Sequence, residues 1–353
     1  MKMRGVEENV REGAIPSRRL WITWEMQRRN RSLSRAVGAE LLELINDRGR
    51  LLRYLVLVIR TIRELQQRRP RVLFCQSPSI VLAALCAGLR PWFRYLLVID
   101  AHNSGVSPLE GRSALLNALA GWSLRRADIV LVSNSGLARR LRSRIAAVLP
   151  VPDPLPDLSV APGSANATSG GVSPASRVLF VCSWHADEPV DEVLEAATLL
   201  DPNEVRLQIT GRSRVDSKAV PPAVDLLGFL PESSYVQALR GASLVIALTR
   251  REDNLNCAAY EAVAAGTPGI LTDTAALREH FPGGFLFVRP EPRLIAKSIQ
   301  DGLACRSRLA AALEESRRRI ELRVRDGLRE MEAALEATAQ TNALGLKENL
   351  RDE

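Results

Sequence analysis

The sequence predicts an α/β protein made of two parallel-sheet domains that face a central cleft. Three observations predict it. Short apolar runs alternate with helix-forming segments in both halves, the pattern of parallel sheets covered by helices. The chain has 353 residues, more than one core holds comfortably. A stretch rich in Pro, Gly, Ser and Ala, residues 150–176, parts the two halves and reads as a linker.

Taken in order, residues 1–17 are polar and read as a flexible N-terminus. The first domain is expected over 18–149. Leu20–Trp24 is its first strand, followed by the basic loop Gln27–Arg31 and a helix over Leu51–Gln67. Arg71–Cys75 and Tyr95–Asp100 are buried-type strands with helix Ser79–Leu89 between them, and Asp128–Ser133 is the last clear strand. The second domain is expected over 177–304. Val178–Leu200 reads as strand, loop and amphipathic helix, and Val205–Gly211 as a strand ending in glycine. Val224–Leu230, helix Glu232–Leu239, strand Ser243–Thr249 and Gly269–Asp273 follow. Residues 305–353 form a charged helical segment and tail, helix-forming to about residue 340.

The most informative stretch is Asp253-Asn-Leu-Asn-Cys-Ala-Ala-Tyr-Glu261, which sets two carboxylates eight positions apart across a helix start. Asn254 or Asn256 can cap that helix, and Gly266 and Pro268 can end it. Asp253 then sits in the loop and Glu261 on the second turn, with free backbone N–H groups between them where a phosphate could bind. Two acids so placed can hold two hydroxyl-bearing parts of one ligand. A capped helix carrying two solvated acids is the alternative.

With its flanking strands, residues 178–300 resemble the nucleotide-binding half of the GT-B glycosyltransferases, in particular the large retaining group with a Glu-x7-Glu signature. Here it reads Asp253-x7-Glu261. A weaker match covers 18–148. The resemblance implies two Rossmann-like domains with chemistry at the carboxyl ends of the strands. It implies a glycosyltransferase moving a sugar from a nucleotide-sugar donor to a saccharide or lipid-linked saccharide acceptor in polysaccharide or glycan biosynthesis. Asp253 and Glu261 would accept from the donor sugar and the ribose, and His102, after the strand ending at Asp100, would contact the phosphate or the transferring sugar. Ser183, Gly211, Arg212, Asn254, Leu255, Asn256 and Cys257 would line the donor side, and Glu25, Arg28, Arg29 and Asn30 the acceptor side. Members of this group use no dedicated protein base, and the reading leans toward retention. An inverting reaction would need a base from Glu25, Asp100 or His102.

The sequence departs from the family pattern where an Arg, and a Lys five residues later, neutralise the donor diphosphate. Those positions hold Ser183 and Glu188. Opposite charges ~4 Å apart are worth about 4 kcal/mol at intermediate dielectric, so the swap is not neutral. Replacement cations could come from Arg212 and Arg214, from Arg250 and Arg251, or from Arg28 and Arg29.

Other classes find less support. Five cysteines without CxxC spacing argue for reduced thiols, and neither they nor the three histidines form a metal cluster, so no metal and no cofactor is expected. No GxGxxG turn suggests a dinucleotide. A net charge of +8 comes without a recognised nucleic-acid module. A membrane surface suits the mixed apolar and basic run Leu51–Arg63 and the aromatic cluster Pro91–Tyr95 better. The start lacks a signal-peptide apolar core, so a cytoplasmic location is expected, with peripheral binding at the inner face of the membrane. A catalytically weak partner of another glycosyltransferase and a sugar-nucleotide epimerase remain the alternatives.

Overall fold

The computed structural model describes residues 18–349 except 47–48, 78, 107–110, 146, 159–174, 214 and 217–218. The expected flexible N-terminus, most of the linker and Arg214 therefore lie outside the described residues. The chain divides into two compact units. One is Met1–Val132 with Leu141–Leu149 and Leu328–Glu353; the other is Ser133–Arg140 with Pro150–Gly327.

The first unit begins with β1 (Arg19–Thr23), α1 (Arg28–Ala36), β2 (Glu40–Glu43) and α2 (Arg50–Arg68). It continues through β3 (Val72–Ser77), α3 (Ile80–Phe93), β4 (Leu96–Ala101), α4 (Asn103–Val106), α5 (Ala114–Arg126) and β5 (Ile129–Val132). After α6 (Ser135–Arg142), which opens in the second unit, β6 (Val148–Pro150) completes a sheet of order β2-β1-β3-β4-β5-β6. The registers of β1 with β2 and β3, β3 with β4, and β4 with β5 are parallel. β3 and β5 are buried along their whole length, as parallel strands covered on both faces must be.

Two sequence expectations change here. Residues 28–31, expected in a basic loop, are helical, because Arg29, Asn30 and Leu33 share one buried face of α1 at helical spacing. Tyr95, which the sequence placed both at the start of a buried-type strand and in an aromatic cluster suited to a membrane surface, is a core residue whose hydroxyl donates to the Cys86 carbonyl at 2.6 Å. Trp92 of the same cluster is exposed.

The second unit runs β7 (Ser176–Phe180), α7 (Val190–Ala197), β8 (Val205–Thr210), β9 (Val224–Gly228), α8 (Glu232–Gly241) and β10 (Leu244–Ala247). It continues with α9 (Cys257–Ala265), β11 (Gly269–Thr272), α10 (Ala275–His280), β12 (Phe285–Val288), α11 (Pro292–Ala304) and α12 (Arg306–Asn349), the last extending into the first unit's residues. Its sheet order is β12-β11-β10-β7-β8-β9, all parallel. Alternation along the strands builds two cores. Val178, Phe180, Leu244 and Ile246 pack with α7 and α11 on one face. Leu179, Val245, Ala247 and Leu271 pack with α8, α9 and α12 on the other. Two positions here require glycine, one for its φ and one for a close approach. Gly266 ends α9 at φ +73°, and a Cβ on Gly269 would lie 2.1 Å from the Val245 carbonyl oxygen.

Each unit is thus an α/β domain built on a six-stranded sheet. Among the described residues no helix is long and apolar enough to cross a membrane.

Candidate functional site

Counted from its own first strand, the second unit has strand order 3-2-1-4-5-6, which reverses between β7 and β10. Open parallel sheets bind ligands at the carboxyl ends of strands beside such a reversal. The segments leaving β7 and β10, residues 181–189 and 248–256, meet there. The Asp187 carbonyl accepts from Arg250 N at 2.7 Å, and its carboxylate accepts from Thr249 Oγ1 at 3.2 Å. Arg251 lies 3.5 Å from the same carboxylate and Arg250 pairs with Glu192, so both arginines named as replacement cations are engaged by acids.

The acid pair falls where the sequence placed it, Asp253 in the loop and Glu261 on the second turn of α9. Asp253 is 30% exposed and bonds Arg140 Nη1 at 2.6 Å, while Asn134 donates to its carbonyl at 3.1 Å. Glu261 is buried at 6% exposure and accepts from the Tyr235 hydroxyl on α8. Asn256 is the N-cap residue, but its side chain makes no cap bond; Asn254 reaches it at 3.5 Å instead. Leu255 turns into the core, and Cys257 is exposed at the helix start.

Beside the acids, the loop after β7 folds around Glu188. Its carboxylate accepts from Ser183 N at 3.0 and 3.1 Å, Ser183 Oγ at 3.0 Å and His185 N at 2.8 Å. Gly211, at φ +87°, closes against this loop, where a Cβ would sit 2.3 Å from the Cys182 carbonyl oxygen. Arg212 is exposed, its guanidinium 5.9 Å from the centre of the Phe229 ring.

In the first unit the strand order reverses between β1 and β3. A polar network fills that point. Arg29 Nη2 bonds Asp100 at 2.7 Å and its Nε lies 3.0 and 3.1 Å from the two carboxylate oxygens, with both side chains buried. Burial alone would raise the Asp100 pKa, but Arg29 and then His102 hold it well below the usual carboxylate range. His102 Nε2 is 3.3 Å from both Asp100 Oδ2 and Gln76 Nε2, so it accepts from Gln76 when unprotonated and donates to Asp100 when protonated. Asn30 is fully buried between Trp21, Thr23 and Gln76, at 3.2, 3.1 and 2.7 Å. Of the four acceptor-side residues, Arg29 and Asn30 are thus packed inside this network. Glu25 lines a pocket of about 180 Å³ with Arg53, Tyr54 and Leu116.

Sequence reasoning missed Arg140 and Tyr235, which lie 113 and 26 positions from the acids they bond and carry no local signal. It also missed the internal partners of Glu188, for which Pro189 was a turn signal. No group of His, Cys, Asp or Glu able to hold a metal occurs among the described residues.

Residues 175–304 match the family model described as "Glycosyl transferases group 1". Over 100 residues the chain is 32% identical to a GDP-mannose-dependent alpha-(1-6)-phosphatidylinositol dimannoside mannosyltransferase of Mycobacterium tuberculosis. That stretch is 27% of this chain and 26% of the relative, so the match spans about a quarter of the relative's length. Among solved structures, HepE of Anabaena in complex with UDP superposes with a TM-score of 0.65 at 15% identity, over 91% of this chain and all of that one. A sucrose-phosphate synthase of Thermosynechococcus elongatus gives 0.63 at 16% identity, over 93% of this chain and all of that one. These likenesses carry the fold alone. The chain has the GT-B fold, and its segment 175–304 is similar to the group 1 glycosyl transferases.

Proposed function

We propose that this protein is a glycosyltransferase that moves a sugar from a nucleotide-sugar donor to a saccharide or lipid-linked acceptor in glycan biosynthesis. The observation that carries it is the acid-bearing loop and helix after β10, at the strand reversal of the segment that matches the group 1 transferases. The second unit holds the donor. Asp253 accepts from sugar hydroxyls, with Arg140 fixing its carboxylate; Glu261, steadied by Tyr235, accepts from the ribose; and the N–H groups at Leu255, Asn256 and Cys257 face the phosphates. Arg212 supplies the cation, because Arg250 and Arg251 are committed to Glu192 and Asp187. The first unit holds the acceptor beside Glu25, Arg28 and His102. Transfer proceeds with retention, the leaving phosphate taking the acceptor proton while the protein stabilises the departing charge. An inverting reaction would use His102 as base, oriented by Asp100.

A lipid-linked acceptor fits the outer face of α2, where Leu52, Leu55 and Ile59 are exposed beside Arg60 and Arg63. Trp92, 76% exposed, adds a second apolar contact. Peripheral binding to anionic vesicles that fails after Leu55→Glu with Ile59→Glu would support this.

A second reading, a catalytically weak partner of another glycosyltransferase, is favoured by the Glu188 carboxylate, which occupies the donors of the β7 loop. A thermal-shift panel of nucleotides and nucleotide sugars decides between the two, since a ligand stabilises by its binding free energy. Stabilisation by one nucleotide sugar, followed by transfer to an acceptor, supports the enzyme. No stabilisation by any of them sinks it.

A further inference from the structure

The loop after β7 has the geometry of an anion site. Ser183 N, Ser183 Oγ and His185 N converge on one point, and the residue between those two amides, Trp184, is left-handed at φ +62°. Successive amides turned inward by a left-handed residue form a concavity that binds oxyanions. A left-handed Trp costs roughly 1 kcal/mol or more and persists only where its surroundings impose it.

The surroundings do impose it, and without Glu188. The indole of Trp184 is buried, and its Nε1 donates to the Thr210 carbonyl at 3.0 Å. Trp184 N donates to Cys182 Sγ at 3.2 Å, and Cys182 N donates to Thr210 Oγ1 at 3.0 Å. Gly211 packs directly on the Cys182 carbonyl. β8 therefore holds the loop in shape, and the three donors stay convergent whatever fills them. What fills them is the protein's own carboxylate, with Cys182 Sγ adding a contact at 3.5 Å. The neighbouring Asp187 does not compete for these donors, being engaged by His185, Thr249 and Arg251.

We propose that the loop after β7 is a preformed oxyanion site plugged by Glu188, which makes Glu188 a specificity-determining residue that keeps phosphate out of this loop. The site stands without the proposed transferase activity; only its consequence for a donor rests on that reading. A phosphate-bearing ligand must then place its charge outside this loop, toward α9 after β10 or toward Arg212 after β8.

The test is binding of inorganic phosphate to the full-length protein by titration calorimetry at fixed ionic strength. Wild type, Glu188→Ala, Glu188→Gln and a control, Asp191→Ala, which removes an exposed carboxylate of the same segment, are compared. Glu188→Ala is expected to bind phosphate at least about tenfold tighter than wild type, because charge-assisted bonds to amides and a hydroxyl are regained. Glu188→Gln, whose amide oxygen still fills part of the site, should gain less, and Asp191→Ala nothing. Equal phosphate affinity in Glu188→Ala and wild type overturns the proposal. So does an equal gain in Asp191→Ala, which would mark a general charge effect. A Glu188→Ala protein that fails to fold overturns it too, because the loop is then not preformed. Failure of every nucleotide to bind wild type would refute the transferase reading and leave this result intact.

Discussion

At the strand reversal of the first unit the charges are internal. The Arg29 and Asp100 side chains are 3% and 1% exposed, and they neutralise each other. At the reversal of the second unit Glu261 is buried, but Asp253, Arg140 and Arg212 face outward. Asp253 and Arg140 are 30% and 56% exposed, and Arg212 lies over a surface ring. In the same unit Glu188 is satisfied by backbone amides and a hydroxyl instead of a cation. The two units share a doubly wound plan but use their polar residues differently. In the first, Arg29 and Asp100 are buried and pair with each other. In the second, Asp253, Arg140 and Arg212 are arranged where a ligand can reach them. Substitutions should separate accordingly, stability responding in one unit and binding in the other.

The largest effect should come from Asp100→Ala. It removes the carboxylate that the buried Arg29 guanidinium bonds, and removing one partner of a buried pair costs about 3–5 kcal/mol. Urea unfolding checks it; a loss under about 1 kcal/mol would mean that the pair behaves as a surface one and that the contrast fails. Next, Asp253→Asn should lower transfer on the order of a hundredfold, the scale for losing one positioned group at a reacting centre, while unfolding shifts little. Glu261→Gln should also remove most activity and keep its acceptor for Tyr235. Wild-type rates in both variants would remove the acid pair from the site.

The outline of the second unit was legible because its signals are local. The acid spacing, the Gly266 and Pro268 stop, and the short apolar runs of β7, β8 and β10 each lie within a few residues. The first unit was read less completely. β2 is a short edge strand with no fully buried residue, and α1 hides its helical period behind four arginines, Arg28, Arg29, Arg31 and Arg35. Buried Arg29 reads as a surface cation until Asp100, 71 positions away, is placed against it. Arg140 and Asp253 pose the same problem over 113 positions. Chemistry assembled by topology leaves no spacing to read, whereas chemistry assembled within one turn does.

Acid stability offers a third way to tell the units apart. His280 is buried against Tyr260, with its Nε2 2.8 Å from the Tyr260 hydroxyl and its Nδ1 3.3 Å from Arg323 Nη1. Arg323 can only donate, so Nδ1 accepts and Nε2 carries the proton. Burial first, then the charges of Arg323 and Arg319, push the His280 pKa down to about 3. The unfolded chain, titrating at about 6.5, therefore binds the extra proton first. Stability is full above that value and is lost as pH falls toward 3, by about 2 kcal/mol on reaching pH 5. Asp100, also depressed, withdraws its contribution only below the ordinary carboxylate range. His280→Gln, which keeps a donor and an acceptor without titrating, should flatten the loss between pH 6.5 and 4 and leave the steeper fall below it. An unchanged profile in that window would show that His280 does not limit the second unit.

The smallest effect expected is on donor affinity, and it bears most directly on where the second unit neutralises phosphate. With Glu188 held by the loop after β7, that loop presents a carboxylate and no cation of its own to a phosphate. Arg250 and Arg251 are each already paired with an acid, so taking up a phosphate would mean giving up Glu192 or Asp187. Arg212 follows the carboxyl end of β8, one residue beyond the Gly211 that closes on the β7 loop, and its guanidinium rests on the Phe229 ring. A cation–π contact at an exposed ring is weak, roughly 0.5–1 kcal/mol, so moving from the ring to a phosphate forfeits little. A guanidinium also meets phosphate oxygens in a two-bond fork that a lysine cannot form. Arg212→Ala should therefore raise the donor dissociation constant about tenfold, one charge-assisted contact's worth, with Arg212→Lys in between. Arg250→Ala and Arg251→Ala should change it less. Phe229→Ala should leave affinity unchanged or improve it slightly, since it frees the guanidinium. Should Arg212→Ala bind donor as wild type does while Arg251→Ala does not, the cation comes from the loop after β10, and Asp187 must release it when the donor arrives.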